Sequence, residues 1–110
     1  MNEIVSSPLS SGTLNFNLGK LQSNIENKTI DSIQTPDGLV DVKGDNKILT
    51  LSIGENLISG ITVNINEYPF PALTFIYSNP EYRNKGYMKK VLKEYTKKFG
   101  KLMTDNIQTK

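Results

Sequence analysis

The chain has 110 residues and a net charge of +2, with no cysteine and no histidine. That length suits one domain with one core. The composition excludes disulfides, thiolate zinc sites and imidazole chemistry, so acid–base work falls to Asp, Glu, Tyr, Lys or water. No metal cluster is evident.

Residues 1–12 are serine-rich with Pro8 and Gly12, and read as a loosely docked lead-in to a single domain over 13–110. They lack the basic and apolar regions of a signal peptide, and no apolar run reaches membrane-spanning length, so a cytoplasmic protein is expected. Leu14, Leu18, Leu21 and Ile25 recur at helical spacing and predict a short amphipathic helix near 14–27. Leu14, Phe16 and Leu18 also alternate, so a strand at 13–18 is the alternative. From Gly38 the period changes, and Leu39, Val40 and Val42 predict a strand. The run Lys43 to Lys47, KGDNK, has strong turn chemistry. Ile48–Ile53 and Leu57–Ile65 then read as two strands joined by the GEN turn at Gly54–Asn56. NEYPFP, Asn66 to Pro71, is a loop whose two prolines cannot donate to a ladder. Ala72–Ser78, ALTFIYS, is apolar at nearly every position, as expected of a central strand covered on both faces.

After the turn NPEYRNKG, a helix is expected from about Gly86 to Phe99. Met88, Val91, Leu92, Tyr95 and Phe99 share one side, and Lys89, Lys93 and Lys97 another. Gly100 suits a left-handed C-cap, and KLMTD from Lys101 reads as the start of one more strand. The order of helix, three or four antiparallel strands, buried strand, basic helix and strand stub gives an α+β or mixed α/β fold, with a twisted sheet and flanking helices.

Charge is uneven along this chain. Residues 1–78 hold four lysines against eight acids, whereas residues 79–110 hold nine basic residues against three acids. The asymmetry points to an anionic partner for the last third. Lysines 85, 89, 90, 93, 97, 98 and 101 suit phosphate contacts, yet no nucleic-acid module surrounds them, and a solvated helix face is the favoured reading. Abundant Asn, Ile and Lys with a single alanine, Ala72, point to an AT-rich coding genome such as that of a low-GC bacterium or its phage.

The strand–turn–helix of 72–99 resembles the acetyl-CoA motif of the GNAT superfamily of N-acetyltransferases. That family carries (Arg or Gln)-x-x-Gly-x-(Gly or Ala) between a buried strand and a helix, and here the residues are Arg83-Asn84-Lys85-Gly86-Tyr87-Met88. The preceding hairpin, Lys47–Ile65, matches the two strands that usually come before it, so the resemblance covers about Lys47 to Asp105. It implies that Arg83, Asn84, Lys85, Gly86, Tyr87 and Met88 face the pyrophosphate of acetyl-CoA, mainly through backbone N–H. It also implies that Phe75, Ile76 and Tyr77 offer main chain to the pantetheine arm. Acetyl-CoA would be the co-substrate and an amine of a protein or small molecule the acceptor. Glu67, Tyr68 and Tyr77 are the candidates for acid–base work, with Glu55 in the hairpin turn, while a structural role for the tyrosines is the bland alternative.

Two departures stand out. Met88 occupies a position where the family prefers Gly or Ala, and its side chain either crowds the phosphate or points into the core. The chain ends at Lys110, so the family's further helix and two strands, with the tyrosine acid they often supply, are expected to be missing. Hence the rival expectation is a non-catalytic GNAT-like protein, phage- or mobile-element-encoded, that docks on another protein. Both readings leave an open sheet edge, for which a homodimer is the expected cover.

Overall fold

The computed structural model of the protein describes residues 11–104. Helix α1 (Ser11–Asn24) is followed by five strands, β1 (Thr29–Thr35), β2 (Gly38–Gly44), β3 (Ile48–Ile53), β4 (Asn56–Asn64) and β5 (Ala72–Ser78). A 3-10 turn at Pro80–Tyr82 then leads to helix α2 (Tyr87–Phe99). The strands form one sheet in chain order, β1-β2-β3-β4-β5, with every neighbour antiparallel. The fold is α+β. No described helix is long and apolar enough to cross a membrane.

The KGDNK run makes the β2–β3 turn for a steric reason. Gly44 adopts a φ of 128°, and a Cβ there would collide with the Ile48 carbonyl. Asp45 completes the turn, its carboxylate accepting from the N–H groups of Lys47 (2.8 Å) and Ile48 (3.1 Å). Where two apolar residues adjoin in β5, both faces of the sheet are covered. Leu73 and Ile76 join the core beneath α2 with Val42, Leu49, Leu51 and Ile61, against Tyr87, Val91 and Tyr95 of the helix. Phe75 faces the other way, into a smaller cluster with Leu21, Ile25 and Leu57 beneath α1. Each aliphatic side chain so buried contributes roughly 1.5–3 kcal/mol before entropy is counted.

Both helices are also held by polar contacts. Asn24, buried at the end of α1, donates to the Lys43 carbonyl (2.9 Å) and the Thr50 hydroxyl (2.8 Å). The Tyr95 hydroxyl donates to the Asn46 carbonyl (2.7 Å), fixing α2 over the β2–β3 turn. Lys98 joins Asp31 of β1 (2.7 Å) to Glu94 one turn back (2.9 Å). The Gly100 N–H closes the helix on the Thr96 carbonyl (3.1 Å), at a φ of 101°.

Four expectations change. β5, expected to be a central strand, is covered on both faces but lies at one edge of the sheet, with only the Met103 bridge beyond it. Ser11 and Gly12 belong to α1, which ends at Asn24, so the helix lies about three residues earlier than its leucine spacing indicates and the strand at 13–18 does not form; the rest of the lead-in, 1–10, lies outside the described residues. Strand β1, TIDSIQT, was not expected: it is an edge strand whose side chains are mostly exposed, with little apolar pattern to read. Finally, the expected strand at KLMTD is a single bridge, in which Met103 pairs with Ala72 in parallel; its Asp105 is outside the described residues.

Candidate functional site

The segment after β5 is anchored before it turns. The Asn79 N–H donates to the Ile58 carbonyl (2.8 Å), its side-chain amide donates to the Leu57 carbonyl (2.9 Å), and its side-chain oxygen accepts from the Glu81 N–H (2.9 Å). Pro80 then occupies the first position of the 3-10 turn, where its missing N–H costs nothing. Asn84 (φ 62°) and Gly86 (φ 80°) are both left-handed, and Gly86 is the N-cap of α2 with no side-chain capping hydrogen bond. A Cβ on Gly86 would meet nothing within 4 Å. The first N–H groups of an α-helix have no intrahelical partner, and the positive end of the helix dipole lies behind them; in α2 the Lys90 N–H donates to the Gly86 carbonyl (3.0 Å).

The turn is braced from the β1–β2 connection. Asp37 accepts from the Lys85 ammonium (2.8 Å) and from the Tyr87 hydroxyl (2.7 Å), which also lies 3.1 Å from the Thr35 hydroxyl. Tyr82 meets the Tyr87 ring edge-on at 6.0 Å, and the Lys85 ammonium lies 5.6 Å from the Tyr82 ring centre. Lys85, and then Tyr87, hold the Asp37 carboxyl below the usual carboxylate range. The same Asp37 contact raises Lys85, and burial pushes up the Tyr87 phenol. Thr35 and Asp37 were not among the expected site residues. Their TPDG run signals a tight turn, but nothing local says that it meets residues 48 to 52 positions further along.

The remaining expected residues fall into two groups. Gly86, Asn84 and Lys85 are exposed at the turn, Arg83 is half-buried, and Met88 packs against the core beneath α2 rather than toward the first N–H groups. Tyr77 lies close by in the chain, half-buried beside α1, its phenol pushed up by burial and by Glu81. The Phe75 and Ile76 side chains are both buried, on opposite faces, which leaves only their main chain for a ligand. Glu67 and Tyr68, by contrast, sit in the β4–β5 loop at the other end of β5, about 20 Å along the strand. Glu67 accepts from the Asn64 amide (3.2 Å), and Tyr68 is 90% exposed.

β5 has an outer edge that is only partly used. Leu73 donates to the Met103 carbonyl (2.8 Å) and Met103 to the Pro71 carbonyl (2.7 Å). Beyond that bridge, the edge from Thr74 to Ser78 pairs with no strand among the described residues. A bulge begins there, since Thr62 pairs with Phe75 but Val63 pairs with Leu73, leaving Thr74 over. The Thr74 hydroxyl turns back to the Thr62 hydroxyl (2.8 Å) and carbonyl (3.0 Å).

Of the lysines of α2, Lys98 is committed to ion pairs, while Lys89, Lys93 and Lys97 line the exposed face. No group of three or more acidic, histidine or cysteine side chains among the described residues could hold a metal ion. Comparison with protein-family models, curated proteins and solved structures gave no match to this chain.

Proposed function

We propose that the protein binds acetyl-CoA at the start of α2 and transfers its acetyl group to an amine, as a small GNAT-like acyltransferase. One observation carries the reading. β5, the turn, α2 and the Met103 bridge form a strand–helix–strand unit in which the uncapped helix N-terminus adjoins the carboxyl end of a buried strand. In open sheets, anionic ligands favour that place, because backbone N–H groups and the helix dipole converge there. Gly86 leaves room for a pyrophosphate, and the unpaired edge of β5 offers main-chain groups to an extended arm. Lys89 and Lys93 add positive charge behind the turn.

In such a transfer the amine lone pair attacks the thioester carbonyl. The C–N bond forms as the C–S bond breaks, the amine loses a proton, and the departing thiolate takes one up. Tyr77 stands nearest the turn among the candidate acid–base residues, and its phenol keeps its proton at neutral pH. Glu67 and Tyr68 lie at the other end of β5, toward which an arm extended along that edge would carry the thioester.

A second reading, docking on a protein without catalysis, draws on the same open edge of β5, which a second copy of the chain would cover by strand addition. An amide-resolved NMR titration with CoA separates the two. Acetyl-CoA binding predicts shifts confined to residues 83–90 and the β5 edge. Docking alone predicts none on adding CoA, and a dimer-sized mass in light scattering.

A further inference from the structure

A cleft on the α1 side of the sheet shares Tyr77 with the site above. It has a volume of about 340 Å³, and its lining includes Leu18 and Gln22 of α1, Glu55 of the β3–β4 turn, Asn56 and Leu57 at the start of β4, Tyr77 and Asn79. That volume is at the lower end of small-ligand sites. We propose that this cleft binds an alkylammonium ion, a primary amine in its charged form with a short apolar stem.

The lining dictates the class. Glu55 is its one charged side chain, and no lysine or arginine contributes to it. Asn79 is spent on the main chain of Leu57 and Glu81. Gln22, Glu55 and Tyr77 make no side-chain hydrogen bond among the described residues; the amide and the hydroxyl can accept or donate, and the Glu55 carboxylate only accepts. An ammonium group carries three N–H donors and no acceptor, so it matches that set, whereas an anion would face Glu55 with no cation to offset it. Leu18 and Leu57 supply apolar wall for the carbon stem. Tyr77 and Asn79 also belong to the segment that runs into the turn at 83–86, which puts the cleft beside the carboxyl end of β5. Its role as an acceptor pocket rests on the acetyl-transfer reading, but its ligand class does not.

The test is an NMR titration of the whole chain at neutral pH with n-butylamine, which is then an ammonium ion, against n-butanol as a neutral mimic. The expected result is saturable shifts at Gln22, Glu55, Asn56 and Tyr77 with the amine only. Glu55→Gln, a change at an exposed turn that leaves the fold alone, should weaken binding about fivefold, the scale of one partly solvated ion pair. Tyr77→Phe should weaken it less. Equal shifts with butanol, unchanged affinity in Glu55→Gln, or shifts spread over every acidic residue would each overturn the proposal. Acetyl-CoA is titrated separately. Amine binding without CoA binding would keep the cleft and remove acetyl transfer, while CoA binding without amine binding would do the reverse.

Discussion

Replacing Tyr87 by Phe removes one hydroxyl and nothing else, and the structure says what that should cost. The ring stays buried against the core beneath α2 and edge-on to Tyr82. The Thr35 hydroxyl keeps its bond to the Gly38 carbonyl (2.8 Å) and still accepts from the Asp37 N–H (3.1 Å). Asp37 keeps Lys85. No buried group is therefore left orphaned, and the loss is that of one net hydrogen bond, about 1 kcal/mol. For a domain near this size it lowers Tm by about 4–8 °C. Tyr87→Ala would also empty the ring's place and cost about 3–5 kcal/mol. The chain has no tryptophan, so urea and thermal unfolding are best followed by far-UV circular dichroism. If Asp37 is the partner, Tyr87→Phe and Asp37→Asn together should cost less than the two separate losses added. A Tyr87→Phe protein as stable as the parent, or strictly additive losses with Asp37→Asn, would refute the bracing of the turn by the β1–β2 connection.

Other outcomes follow from the same contacts. Gly60→Ala places a Cβ 3.1 Å from both Leu21 methyl carbons and from Thr50 Cγ2, so those side chains must give by a few tenths of an ångström; a loss of about 1–3 kcal/mol is expected, and an unchanged urea midpoint would contradict the close seat of Leu21 on the sheet. Asp31 and Asp37 are both held below the ordinary carboxylate value of 3.8, chiefly by Lys98 and Lys85. A depressed carboxyl lends stability above its unfolded value and loses it as pH falls through the folded one, so the urea midpoint should hold between neutrality and about pH 5 and decline below about pH 4. Asp31→Asn with Asp37→Asn should flatten that decline; an acid limb identical to the parent's would show that other groups set it.

Legibility in the sequence followed the strength of local patterns. β3, β4, β5 and α2 were readable because apolar periodicity and turn chemistry agree there, as at KGDNK, where Gly44 and Asp45 behave as their residue types require. β1 was not, since it is an edge strand that packs only Ile33 against the core and meets Lys98 through Asp31, and so needs few apolar residues. α1 was displaced because Leu18 and Leu21 mark its packed face but its ends carry weak signals. At the site, the glycine turn before α2 was legible from spacing, whereas its brace was not. Lys85 looked like a free phosphate contact, yet it is paired with Asp37 across 48 residues. Met88 could be read as an obstruction or as a core residue, and the 3.6-residue helical period turns it toward the core.

Acetyl-CoA binding at α2 is the central claim, and calorimetric titration of the cofactor tests it most directly. Two substitutions at Gly86 serve as controls, since both face open space there. Asn tolerates the left-handed conformation and should keep binding, while Glu puts a carboxylate where the pyrophosphate would sit and should abolish it. Micromolar binding by the parent and Gly86→Asn, lost in a folded Gly86→Glu, is the predicted result. Absence of binding at millimolar acetyl-CoA by the folded parent protein would contradict it.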